Sequence, residues 1–393
     1  MGKAGMLKNR SLITLFVFLS MFFLGVGATI IGAAARNIGL SPSQIGLLIA
    51  VQNIGFMAAL MISGPLADTH DKTKILLIGS LVLALSFFTF YLKDVFSLNL
   101  MIMLFMGMGI GTYEGVTDPL LLEIHREKEG LFISINHFFV TFGCLMITVY
   151  LLYLQMNWRH AIDQAALAVL LLALFFAFSS LKAKKKTVEP FLVRLRFLRR
   201  QKTILILFFA TVCATGLEMC LIGMMTTFLM ELRNHSQVTS KLGLILFLSG
   251  IGLGRLLVGF FTRRERILDL IMMLFGLSAI FLSGLFLVQT NTLTYGFVVF
   301  SGVAISALFP LLIAYGGILY KEIPGTVLGI IKLALPMGGI LFPLALSLVT
   351  VHASLETSLW MFPVIALAGF FILFLNRRTF RDQVKEGPSG LGE

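Results

Sequence analysis

Charge is what this sequence has least of. Asp, Glu, Lys and Arg make up 13% of its 393 residues, about half the share of a soluble domain. The mean hydropathy is +0.96, and 58% of the chain is apolar. A soluble globular fold is excluded, because such a chain has too little polar surface to cover its interior. Cysteine is almost missing as well. Cys144, Cys213 and Cys220 are odd in number, lie inside apolar runs and lack metal-ligand spacing. They read as buried thiols, not as a disulfide framework or a metal site. Tryptophan is limited to Trp158 and Trp360, both near the ends of apolar runs, where interfacial aromatics belong. No Gly-x-x-x-x-Gly-Lys-Ser/Thr loop is present, so energy is expected from an ion gradient instead of a nucleotide. No nucleophile–base pair or metal-ligand cluster marks an enzyme, and no cofactor is expected.

What is present in abundance is apolar sequence in lengths of about 20 residues, enough to cross a bilayer. Such runs lie near 11–35, 42–67, 75–92, 97–123, 130–154 and 160–181. Six more lie near 203–230, 241–262, 268–289, 293–320, 326–350 and 356–376. The first imitates a secretory signal, with Lys3, Lys8 and Arg10 ahead of it. Its apolar stretch is too long for one, and it is expected to stay as a span. The fold class that follows is an all-α membrane protein of twelve helices. Phe (37), Gly (37) and Met (19) are plentiful, as suits helices packed through small residues and adaptable side chains.

The net charge of +12 does not point to nucleic acid, because the basic residues fall in short loops. With both termini inside, 24 of the 31 Lys and Arg lie in internal segments and five in external loops. That bias places both termini in the cytosol. Lys182 to Lys202 is the long polar break of the chain and divides it six plus six. It reads as a tether between bundles 1–181 and 203–376, with a polybasic lipid-binding segment as the alternative. Residues 377–393 read as a cytoplasmic tail. The halves echo each other: Gly55 and Gly64 match Gly250 and Gly259 at the same nine-residue separation. Each pair runs into a charged loop, Asp68 to Lys74 and Arg263 to Arg266, with an Arg where the first copy has Asp. Such a repeat suits two six-helix bundles with a site between them.

The loop Gly64-Pro65-Leu66-Ala67-Asp68-Thr69-His70-Asp71-Lys72-Thr73-Lys74 carries a specific pattern. It resembles the Gly-x-Leu-Ala-Asp-Arg-x-Gly-Arg-Lys signature between the second and third spans of major facilitator superfamily transporters. Thr69 replaces the usual Arg, and Asp71 the usual Gly. Gly64 lets two helices approach closely, Asp68 can face the positive end of a neighbouring helix, and Lys72 stays in the cytosol. The resemblance implies a gating role for Gly64, Asp68 and Lys72.

Ionisable groups within spans cost at least ~2.5 kcal/mol at the centre and usually face a cavity or a partner. Glu114 and Asp118 share one face of the fourth span, ~13 and ~7 Å from its cytosolic end by helical rise. Two carboxylates so close in a low dielectric do not both stay ionised without a cation, which suits a proton carrier. A static pair with a buried Arg or Lys is the alternative. His137 is ~10 Å into the fifth span and reads either as a packing residue or as a proton relay. Glu218, in the seventh span, could join the site or pair with Arg255 or Lys332. Arg255 and Lys332 lie ~12 and ~9 Å from their cytosolic helix ends. Snorkelling accounts for both; so does a role as inner gate or anion site. Breaks after Pro310, at Pro336-Met337-Gly338-Gly339 and after Pro343 read as places where helices bend, whether statically or during transport.

A Glu followed four residues later by Asn-Pro in the fourth span is typical of fucose permease-like proton symporters. Here Glu114 and Pro119 match, and Asp118 stands where the Asn would be. Asn136-His137-Phe138-Phe139, Gly216-Leu217-Glu218, Gly254-Arg255-Leu256-Leu257, Leu308-Phe309-Pro310 and Gly338-Gly339 extend the resemblance over most of the chain in short pieces. It implies sugar transport coupled to protons. The departure is in the first span: that branch carries an Asp where this chain reads Thr29-Ile30-Ile31-Gly32-Ala33-Ala34.

The polar inventory is thin for a hexose, since each unmade hydrogen bond is costly. Gln52, Asn53, Tyr113, Thr226 and Thr227, with Glu114 and His137, are the candidate contacts. Arg255 and Lys332 with Phe- and Met-rich walls suit an anion or amphiphile better. The expectation is a monomeric secondary transporter of a small organic solute in a bacterial inner membrane, proton-coupled through Glu114, Asp118, His137 and Glu218. An exporter or flippase of an anionic or amphiphilic compound is the alternative, and a non-transporting membrane sensor belongs to another class.

Overall fold

The computed structural model describes residues 9–40, 42–154, 157–180, 191–199 and 201–386. Much of the basic stretch 182–202 and the end of the tail therefore lie outside the described residues. The helices are α1 (Arg10–Ile38), α2 (Pro42–Thr69), α3 (Lys72–Thr89), α4 (Phe96–Ile124), α5 (Glu129–Tyr153), α6 (Trp158–Phe178), α7 (Phe191–Arg199), α8 (Lys202–Arg233) and α9 (Gln237–Phe261). They continue as α10 (Ile267–Leu287), α11 (Asn291–Ser306), α12 (Leu308–Leu319), α13 (Pro324–Lys332), α14 (Ala334–His352), α15 (Leu355–Leu359), α16 (Met361–Leu375) and α17 (Arg377–Glu386). Among the described residues twelve stretches are long and apolar enough to span a membrane. Helices are what such segments must form, since lipid offers no partner for a free backbone N–H or C=O.

Three spans are interrupted, and proline explains each interruption. The breaks fall at Ala307, Leu333 and Trp360, three residues before Pro310, Pro336 and Pro363. A proline has no N–H for the carbonyl four residues back, and its ring crowds that carbonyl. The disruption therefore precedes the proline, which moves the breaks expected at Pro310 and Pro336 back by about a turn; the break expected after Pro343 is absent, since α14 runs through it from Ala334 to His352. The carbonyl freed by Pro310 finds a side chain: Ser306 O accepts from Arg255 Nε at 3.2 Å. Just past the second break, Thr215 donates to Ala334 O at 3.1 Å. Elsewhere the ends are capped by ordinary means. Asp71 caps α3 by accepting from Thr73 N at 3.0 Å, and Asn234, at φ 54°, closes α8 in the left-handed conformation.

The chain forms two compact units. One comprises 1–126, 136–194 and 322–329; the other comprises 127–135, 195–321 and 330–393. Helices α5, α7 and α13 therefore straddle the division. In the first unit α2 and α4 cross with their backbones touching. A Cβ on Gly107 would lie 1.9 Å from Gln52 O, and one on Gly55 would lie 2.0 Å from Leu104 O. In the second, α9 and α11 cross the same way, with a Cβ on Gly250 only 2.5 Å from Val299 O. The paired glycines of the two halves thus do the same packing job.

Candidate functional site

The first unit carries a buried polar cluster on α4 and α5. Glu114, Asp118 and His137 are all buried, and one possible ligand atom from each lies within 4.8 Å of the others. Asp118 accepts on both oxygens: Asn136 Nδ2 donates to Oδ1 at 2.7 Å, and His137 Nε2 stands 3.1 Å from Oδ2. Asn136 also donates to Thr117 Oγ1 at 3.1 Å. The two carboxylates come together because a spacing of four residues puts them on one helix face. Chemically, the cluster can hold or pass protons between two carboxylates and an imidazole in a site shielded from water.

The second unit carries a buried ion pair. Arg255 Nη2 is 2.7 Å from Glu218 Oε1, and both side chains are no more than 10% exposed. The carbonyl freed by Pro310 holds the other side of the guanidinium. Lys332 is fully buried. Snorkelling is thus overturned for both cations: neither reaches the surface, and Arg255 is anchored on two sides. Glu218 takes the partner left open by the sequence, namely Arg255.

The other candidates divide. Gln52 is buried and donates to Gly27 O at 2.8 Å. The Tyr113 hydroxyl donates to Ser80 at 2.7 Å. Both therefore serve helix packing. Asn53 is exposed and bonds the Ile49 carbonyl on its own helix at 3.0 Å, while Thr226 and Thr227 are half-buried on α8.

The loop motif makes a complete clasp within the first unit. Asp68 accepts from Gly325 N (2.7 Å), Thr326 N (2.8 Å) and Thr326 Oγ1 (2.5 Å), all in the first turn of α13. Arg194 of α7 pairs with it at 2.7 Å and also reaches Thr326 Oγ1. A helix N-terminus with free N–H groups favours a carboxylate, and the guanidinium supplies the counter-charge. Gly64 allows the approach: a Cβ there would meet Gly325 O at 2.7 Å. Lys72 instead pairs with Glu123 at 2.7 Å. Arg194, Thr326 and Asn136 were not read as site residues in the sequence. Arg194 is one of nine cations in 182–202, and nothing in the run singles it out.

Twelve apolar stretches among the described residues, with ionisable groups buried in them, are the features of a multi-pass membrane protein. Residues 11–331 match the family model described as Major Facilitator Superfamily, and the chain belongs to that superfamily. It is an integral multi-pass membrane protein of a family of transporters, not enzymes. The fold matches the fucose:proton symporter FucP of E. coli with a TM-score of 0.79 at 14% identity, covering 94% of this chain and 99% of that one. The proton:xylose symporter XylE gives 0.77 at 14% identity, over 93% and 95%. In sequence, the quinolone resistance protein NorA of Staphylococcus aureus is 30% identical over 112 residues, 28% of this chain and 29% of that protein. The chain thus spans less than a third of that relative's length.

Proposed function

We propose that the protein couples the movement of a small organic solute to protons, by alternating access, through the Glu114–Asp118–His137 cluster. The observation that carries the proposal is the approach of these three groups within 4.8 Å in a buried position. Asp118, with donors on both oxygens, is the anchor; Glu114 is the group that loads and unloads. The clasp of Asp68 on α13 acts as the cytoplasmic gate, with both termini in the cytosol of a bacterial cell and the protein working as a monomer. The proposed division is into bundles 1–181 and 203–376, joined by the basic segment 182–202.

A sugar-like substrate is the reading supported by the fucose permease-like resemblance and by the likeness in fold to the sugar:proton symporters FucP and XylE. A second reading, export of an anionic or amphiphilic compound, is favoured by one specific observation. Gln52 and Tyr113 are engaged in packing, which thins a sugar's partners. The similarity to NorA supports it too.

The test is a thermal-shift screen of detergent-purified protein against monosaccharides, organic anions and lysolipids at acidic and neutral pH. A ligand at one hundred times its Kd stabilises the fold by ~2.7 kcal/mol. A sugar-induced shift whose pH dependence changes in Glu114→Gln supports the symporter. Shifts by anions or amphiphiles alone, abolished in Arg255→Ala, turn the reading to export.

A further inference from the structure

Three apolar spans end at one point of the second unit. The Tyr320 hydroxyl, just past the end of α12, stands 2.6 Å from Thr203 Oγ1 at the start of α8. The Gln383 side chain of α17 reaches the same hydroxyl. Helix α17 is fastened there by Phe380, fully buried with its ring 5.6 Å from that of Tyr315, and by Arg381, 2.9 Å from Asp269. Its apolar anchor thus points into the protein and its polar residues face outward.

Exposed cations surround this knot. Lys202 precedes Thr203, and Arg199 stands just ahead on α7; Lys321 follows Tyr320; Arg378 lies on the outer side of α17. Asp382 is the exposed acid among the described side chains of that helix, and Lys321 also feels the charge of Glu129. Height is fixed by the spans themselves: Lys202 opens one, Lys321 follows one ending at Leu319, and Arg378 follows one ending at Leu375. The cations therefore stand at the boundary of the apolar layer, the level of lipid headgroups. In the first unit the corresponding cations are engaged by protein: Lys72 by Glu123, Lys74 by the Ala177 carbonyl at 2.7 Å, and Arg194 by Asp68.

We propose that this rim of Arg199, Lys202, Lys321 and Arg378 docks the headgroup of an anionic phospholipid and so holds α17 on the end of α12. The phosphate adds negative charge to a rim where cations outnumber acids, and the lipid's acyl chains lie along the spans that end there. The inference is independent of the coupling mechanism and of the transported solute.

The test is the melting midpoint of the full chain in detergent titrated with phosphatidylglycerol, phosphatidylcholine or inorganic phosphate, together with hydrogen exchange of α17 in vesicles of the two lipids. Phosphatidylglycerol is expected to raise the midpoint more than phosphatidylcholine and to protect 377–386. The difference should fall by about half or more in Lys202→Gln/Lys321→Gln/Arg378→Gln and in high salt. Neutralising Arg10 and Arg126 of the first unit is expected to leave it intact. Should the triple variant fail to fold, Lys321→Gln alone and the salt series carry the test. Equal effects of the two lipids, an unchanged difference in the variant, or equal stabilisation by inorganic phosphate would overturn the proposal.

Discussion

Each unit contains a clasp at the end of a glycine-paired helix, and the two are built with opposite charge. In the first unit a carboxylate follows the helix: Asp68, at the end of α2, grips the start of α13. In the second a cation follows the helix: Arg264, after α9, lies 3.4 Å from Glu129 in the first turn of α5. The glycines repeat faithfully. Gly64 lets α13 in, and Gly259 faces the side chains of Leu131 and Ser134 on α5. What differs is completeness. Asp68 is wholly buried and receives three hydrogen bonds from α13 besides the Arg194 pair. Arg264 is 32% exposed, and Glu129 Oε2 is buried without a hydrogen bond. A carboxylate placed on a helix N-terminus uses N–H groups that are there in any helix. Glu129, inside the first turn, has only its own backbone N–H and meets Arg264 outside the helix. The first clasp is therefore the strong one and the second the one that gives.

The sharpest way to break this comparison is Asp68→Ala. It leaves Arg194 buried without its carboxylate, and loss of one partner of a buried pair costs about 3–5 kcal/mol. Urea or thermal melts should show it, with faster hydrogen exchange at 325–329; a loss no larger than that of the second clasp would end the distinction. Steric substitutions give the next effect. Gly64→Ala meets the Gly325 backbone and is expected to cost about 1–3 kcal/mol. Gly259→Ala meets Ser134 Cβ at 3.0 Å, a milder overlap than that at Gly64, and should cost less. Equal midpoints for the two would show that the approaches are equally tight. Glu129→Gln, which removes a partly solvated pair, should cost about 1 kcal/mol or less, and that loss should shrink in high salt.

The smallest effect belongs to His125, at the end of α4. Thr14 donates to Arg10 O at 2.9 Å and so accepts from His125 Nε2 at 2.8 Å. Burial, and then the nearby Arg10 charge, hold this imidazole below its usual range. The unfolded chain thus takes up the proton at a higher pH than the folded one. The stability that His125 contributes is present above about pH 6.5 and is lost as pH falls below it towards the folded value. His125→Gln should flatten the slope of melting midpoint against pH just below 6.5; an unchanged slope would remove His125 as its source.

Twelve spans, the paired glycines and the Asp68 loop were legible in the sequence because each rests on a strong local rule: hydropathy, close approach, and charge at a helix end. Glu114 and Asp118 stood out because carboxylates are costly in a span, and His137 because an imidazole there is rare. Asn136 did not, since a neutral amide in an apolar run carries no such cost until its partner is known. Gln52 and Tyr113 were read as ligand contacts on their polarity. In lipid, however, a polar side chain must first satisfy itself, and these two do so against Gly27 and Ser80. The breaks at Pro310 and Pro336 were misplaced by about a turn because proline acts on the carbonyl behind it, and none falls at Pro343. Charge reversal at the repeat was visible as Asp68 against Arg263, but the clasp is made by the next residue, Arg264, with Glu129, more than a hundred residues away, and that pairing was not.

The central claim is that protons move with the solute through Glu114. Its most direct test is the internal pH of proteoliposomes loaded with pyranine as fucose, xylose or an organic anion found in the thermal screen is added outside. The account predicts a substrate-dependent pH change in the wild type that disappears in Glu114→Gln, while the variant still shows the substrate's thermal shift. Proton movement of wild-type size in Glu114→Gln would contradict it.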